Sequence, residues 1–234
     1  MKLKYFTLII FTFIFCNCSN NTNTPEFIKK TTGKYLYNSD EVIKIYFVKS
    51  ELLMEWRGAK NIKPLKVNET TFFVKEMNEK IQFLTKPENQ KDYIVLIPKE
   101  ENKPILFNFI KLEEHENVPS EYLKNNEFNK ALEGYLNIQL KDSLDPTIEE
   151  SRFNKLGYKQ LRNKNYKNSL YIFKINMALY PNSSNVYDSY ADALKRSGDT
   201  VKAIINYKKS LVLDSGNIRA KRNIEKLEKP YRNN

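Results

Sequence analysis

Between Leu156 and Ser215 the chain repeats itself at a fixed offset. Leu156-Gly157 returns as Tyr190-Ala191, Ser169 as Ala203, Phe173 as Tyr207, and Pro181 as Ser215. A fixed period of this length marks one supersecondary unit that cannot bury its own apolar face and stacks on copies of itself. The residue types say what the unit is. A large residue followed by a small one belongs to a first helix; a small residue followed four positions on by an aromatic belongs to a second. Gly157, Ala191, Ser169 and Ala203 are small where two helices must cross closely. Phe173 and Tyr207 fill the gap between adjacent hairpins. Pro181 ends the second helix, because proline cannot continue the hydrogen-bond ladder.

The pattern resembles the tetratricopeptide repeat. A third unit precedes the two full ones: Ala131 and Tyr135 repeat the small-then-aromatic spacing, but Pro119 stands where the middle of its first helix belongs, so that helix is cut short. The polar segment from Ile218 to Lys229 then caps the stack, since a terminal repeat needs a wet outer face. The resemblance implies a non-catalytic module that binds a protein or peptide along the concave face of its first helices. On that face stand Asn154, Tyr158 and Arg162 from one repeat and Asp188, Asp192 and Lys195 from the next. Solvation of the same helix face is the alternative account of all six. Some members of the family clamp a C-terminal carboxylate with Lys and Asn at the fifth and ninth helix positions; here these are Asn154 and Tyr158, so the resemblance does not carry the clamp over.

From Phe27 to Leu112 the chain reads differently. Tyr35 to Tyr37, Val42 to Val48, Leu52 to Trp56, Thr71 to Lys75, Ile81 to Leu84, Tyr93 to Ile97 and Ile105 to Ile110 are rich in β-branched and aromatic residues, and turn residues separate them. Ile43, Ile45 and Phe47 share one face, as do Leu52, Met54 and Trp56. Short strands at regular intervals suggest an antiparallel barrel or sandwich. A core or barrel-mouth place is expected for Trp56. The runs Gly33-Lys34-Tyr35, Thr71-Phe72-Phe73-Val74 and Ile81-Gln82-Phe83 resemble the small β-domain that follows the catalytic domain of β-lactamase-like serine hydrolases. Leu156-Gly157-Tyr158 and the stretch Pro181 to Ser189 resemble the repeat tail of the same proteins. That likeness implies an accessory or remnant module, without a catalytic domain, acting beside a separate catalytic protein. A third possibility is a small-molecule carrier using the interior of the β-domain.

At the N-terminus, Lys2 and Lys4 precede an apolar run, Tyr5 to Phe15, too short to span a bilayer. Cys16, Cys18 and a polar stretch follow. This reads as a secretory signal, and the cysteines make it resemble a bacterial lipoprotein signal. The resemblance implies lipidation of Cys18, with Cys16 the alternative, and a lipid anchor in the outer membrane of a cell envelope. An ordinary cleaved signal with incidental cysteines is the other reading. The only cysteines of the chain lie here, which excludes a disulfide framework or a Cys-based zinc site in the mature domain.

The net charge of +11 is uneven: residues 118–234 hold 21 Lys/Arg against 13 Asp/Glu. Such a surface favours anionic partners, or is simply solvated lysine; a secreted, anchored chain has no nucleic-acid partner. Catalytic signatures are absent. No serine has Lys three positions on, as the S-x-x-K motif requires, and no G-x-S-x-G elbow exists. The single histidine, His115, lies in an acidic linker. Glu149-Glu150 sit at an expected helix start, where the positive helix end favours them. No catalytic, cofactor or metal site is expected.

The sequence therefore predicts an α+β chain in separate domains. Residues 1–18 form the signal peptide, 19–26 a polar tether, 27–112 the antiparallel β-barrel or sandwich, and 113–119 a linker. Residues 120–229 form the all-α tetratricopeptide-like stack with its capping helix, and 230–234 a tail. The expected role is protein–protein interaction or assembly in the envelope.

Overall fold

The computed structural model describes residues 22–100 and 102–232; the signal segment with Cys16 and Cys18 lies outside them. The first element among the described residues is a helix, across the boundary drawn between tether and β region. Thr24 caps α1 (Pro25–Thr31) by accepting from the amide of Phe27, and Pro25 takes a first-turn position, where its missing N–H is no loss. The helix drives Phe27 among Phe47, Phe72 and Phe83, with ring centroids 5.5 to 6.1 Å away.

The runs read as strands form strands. A four-stranded antiparallel sheet holds β1 (Gly33–Asn38), β2 (Glu41–Val48), β3 (Glu51–Trp56) and β4 (Ala59–Ile62) in chain order. A five-stranded one holds β5 (Leu65–Lys66), β6 (Thr71–Val74), β7 (Glu79–Thr85), β8 (Asp92–Leu96) and β9 (Leu106–Ile110). Tight turns set the registers: Lys49 and Ser50, then Arg57 and Gly58, all have positive φ, as the two-residue turns that match strand twist require. β4 and β5 went unrecognised in the sequence. Ile62 alone of β4 is buried, so no alternation marks that strand.

Hydrogen bonding does not run continuously round the two sheets. One seam is joined by the antiparallel bridge Tyr35–Lys111 and by the amide of Leu112 donating to the carbonyl of Lys34 at 2.8 Å. At the other seam Lys63 and Pro64 separate β4 from β5, and among the described residues no ladder joins these two strands. Buried side chains fill the space between the sheets, among them Tyr35, Ile43, Ile45, Met54, Phe72 and Ile81, with Trp56 packed against them.

The C-terminal part is a stack of helical hairpins. α2 (Pro119–Lys124) packs on α3 (Phe128–Lys141), α4 (Glu150–Arg162) on α5 (Tyr166–Leu179), and α6 (Ser184–Ser197) on α7 (Thr200–Leu213); α8 (Ile218–Arg232) closes the end. The first helices α4, α6 and α8 begin one repeat apart, at Glu150, Ser184 and Ile218, and the second helices α5 and α7 keep the same interval. The small residues stand where the repeat placed them. A Cβ on Gly157 would lie 2.7 Å from the ring of Phe173, and Ser169 donates to the carbonyl of Gly157 at 3.0 Å. Ala191 and Ala203 are fully buried. α2 is indeed short, with Pro119 in its first turn.

Candidate functional site: the junction and the first-helix face

The β1–β2 turn docks the β region onto the helices. Its centre is Asp40, fully buried. The amide of Ser120, at the start of α2, donates to Asp40 Oδ1 at 2.6 Å, and the Ser120 hydroxyl donates to the Asp40 carbonyl at 2.7 Å. Tyr135 of α3 and Arg152 of α4 both donate to Oδ2 at 3.0 Å. Burial pushes the carboxyl up; Arg152, Ser120 and Tyr135 oppose it. Beside it Ser39 donates to Asp145 Oδ2 at 2.5 Å, and the amide and hydroxyl of Thr147 donate to Oδ1. Burial pushes Asp145 up, but the hydroxyls of Ser39 and Thr147, the Thr147 amide and Arg152 outweigh it and hold the carboxyl below the usual range. From β1 and β2, Lys34 and Lys44 reach Glu121 of α2 at 3.3 and 3.0 Å. In the sequence, Asn38-Ser39-Asp40 has the composition of an ordinary turn, and Arg152 stands in no motif.

Because α2 is so short, the head of the stack is left open. A cleft of about 430 Å³ lies there between α2 and α4, floored by α5. Leu123, Phe153, Leu156 and Ile172 give it an apolar lining, and Lys124 and Gln160 add polar groups. Tyr135 and Arg152, which hold Asp40, also line it, so the cleft adjoins the junction. None of the six residues expected on the concave face lines it. Those six lie on another stripe of the first helices, and the cleft's one advance signal was Pro119.

The structure brings Tyr158, Asp188, Asp192 and Lys195 together through residues of the polar capping segment, α8. Arg219 of α8 crosses α6 to form an ion pair with Asp188, and it donates to the hydroxyl of Tyr158 on α4 at 3.2 Å. Burial pushes the Asp188 carboxyl up, and Arg219 and the side chain of Asn217 oppose it. Lys195 pairs with Asp192 at 3.0 Å and donates to Asn223 of α8 at 3.0 Å; Arg196 adds a second pair to Asp192 at 3.2 Å. Arg162 is exposed. Asn154 is half-buried, and its Oδ1 is buried without a hydrogen-bond partner among the described residues. Burial, then Asp192 and Asp188, push the Tyr207 hydroxyl up, so this α7 side chain faces the same acids. Asp188 and Asp192 are 3 and 4% exposed, held by cations of this chain rather than by solvent. His115 is exposed, in a turn between the sheets and α2.

The stack is similar to solved tetratricopeptide domains and related proteins. One is the first TPR of Spaghetti (RPAP3) bound to HSP90 peptide SRMEEVD, at 15% identity and TM-score 0.35, covering 48% of this chain and 86% of that one. MamA matches at 19% identity and TM-score 0.35, covering 49% of this chain and 64% of that one. The Arabidopsis OM64 TPR domain matches at 16% identity and TM-score 0.34, covering 47% of this chain and 88% of that one. No protein-family model matches the sequence, and no curated protein matches it. The likeness of the β region to hydrolase accessory domains rests on its short motifs alone.

Proposed function

We propose that this chain is a non-catalytic interaction module of the cell envelope, in which the helical stack seats a segment of a protein partner and the β region braces the stack. The cleft between α2 and α4 carries this reading. Its volume falls within the roughly 300–1,000 Å³ of ordinary ligand sites, and its lining, apolar at Leu123, Phe153, Leu156 and Ile172 and otherwise polar or charged, suits an amphipathic side chain of a docked segment. The lipid anchor at Cys18, or Cys16, completes the proposal by holding the module at the membrane. The carrier reading draws no support from the interior of the β region, which its own side chains occupy.

The test uses a photo-crosslinking residue in place of Gln160, in cells, with the captured partner identified by mass spectrometry. One defined partner is expected, and Leu156→Glu should abolish its capture while the helical circular dichroism persists. Capture of nothing above background, or capture unaffected by Leu156→Glu, would overturn the reading. Labelling with a radioactive fatty acid tests the anchor separately: Cys18→Ser should lose the label.

A further inference from the structure

In a domain rich in lysine, the first-helix face beyond the cleft is built around two acids. Asp188 and Asp192 stand one turn apart on α6, almost wholly buried. A buried carboxylate requires a cation or several donors. Asp192 is served by Lys195 and Arg196 of its own helix. Asp188 meets its cation from elsewhere, in Arg219 of α8 on Oδ2.

The arrangement is incomplete. Among the described residues, Asp188 Oδ1 is buried and makes no hydrogen bond of good geometry, the nearby Asn217 amide donating to Ser210 instead, and Ser189 Oγ, Tyr207 OH and Asn154 Oδ1 have no partner either. Ser189 and Tyr207 are at most 1% exposed. Asn154 and Asp188 occupy the same repeat position on adjacent first helices. Most buried polar groups in folded proteins are satisfied, so a group of such atoms asks for an explanation.

The unpartnered atoms lean toward accepting. The Asp188 carboxylate oxygen and the Asn154 amide oxygen only accept, while the Ser189 and Tyr207 hydroxyls can accept or donate. A guanidinium brings five donors and an ammonium three; a carboxylate brings none and would meet Asp188 and Asp192. Arg219 reaches from α8 to both α4 and α6 here, and its side chain is 48% exposed. It can swing out while α8 stays seated through Ala220 and Ile224, which are buried.

We propose that Arg219 is an internal stand-in, and that the face between α4 and α6 receives an arginine or lysine side chain of the partner segment in its place. This rests on the reading of the stack as a peptide-binding surface and adds the sign of the charge it selects. In the unbound chain Arg219 keeps the site filled, which lowers apparent affinity by the fraction of time the site is free.

The test is calorimetric titration of the full chain in detergent with two capped peptides that differ only in one central residue, Arg or Glu. Arg219→Ala should bind the Arg peptide about tenfold tighter than the natural chain, the effect of removing a competitor that fills the site about nine-tenths of the time. Added salt should weaken that binding, and Asp188→Asn on top of Arg219→Ala should abolish the gain. Arg219→Gln, which keeps the stem and a donor, is the second variant should Arg219→Ala unfold, and it should show the same preference. An Arg peptide bound no tighter by either variant, or a Glu peptide that gains equally, overturns the proposal: the unpartnered oxygens then hold water, and Arg219 only fastens the cap. A partner captured at Gln160 whose segment is acidic would refute this inference and leave the proposed function standing.

Discussion

Asp40 shows how much one side chain decides in this protein. In the sequence it closes Asn38-Ser39-Asp40, a composition that turn chemistry explains in full, so nothing marked it as a centre. Its partners come from three helices that follow it by 80 to 112 positions. Asp40→Ala leaves the Arg152 cation and the Ser120 amide facing an empty place. A loss of about 1–3 kcal/mol is expected, the usual cost of leaving buried donors unsatisfied, because the Arg152 side chain is 38% exposed and can turn to solvent; urea unfolding measures it. Asp145 gives a pH signature of definite sign. Its folded pKa lies below its ordinary 3.8, so its contribution is complete well above that value and is lost as pH falls through the folded one. Asp145→Asn should therefore be less stable than the natural chain by a constant amount near neutrality, and the difference should shrink as unfolding is followed downward from about pH 4. A difference that grows on acidification would contradict this.

At the scale of elements, the helices were the most legible because their packing leaves a mark on single positions. Close crossing of α4 and α5 demands a small residue at 157, and Gly157 is there. Gly157→Ala should destabilise the chain: overpacking costs about 1–3 kcal/mol, and the gain in helix propensity of about 1 kcal/mol offsets only part of it. The melting temperature should drop, whereas alanine at Gly216, in the α7–α8 connection, should do far less. The β2 and β3 strands were legible from alternation. α1 escapes the sequence reading although Thr24-Pro25-Glu26 is a good helix start, because its seven residues straddle the boundary drawn at residue 26 and are too few to show a helical period. Arg219 was legible only as charge in a cap; its reach across α6 depends on helix spacing that no local pattern encodes.

At the scale of the whole molecule, the question is whether two architectures unfold as one. Trp56, the one tryptophan, packs in the β region, whereas helical circular dichroism reports almost entirely on the stack. With the Asp40 junction intact the two signals should lose structure at the same urea concentration. In Asp40→Ala or Arg152→Ala they should separate, with the tryptophan and helix transitions at different midpoints. Coincident transitions in both variants would mean that Lys34, Lys44 and Glu121 suffice to couple the halves. The change from strand-like runs to helical repeats was readable in the sequence; the coupling was not, because each of its residues has an ordinary local explanation.

The common phase of α4, α6 and α8 has a consequence for growth. Since each first helix begins one full repeat after the last, a further hairpin of the same length spliced between Asp214 and Asn217 would arrive in register and carry α8 outward as a unit. The docking of the β region at the other end would not feel it. A chain of this design can lengthen its recognition surface at one terminus while the mounting at the other stays fixed, which makes reach and attachment separately adjustable by descent or by engineering.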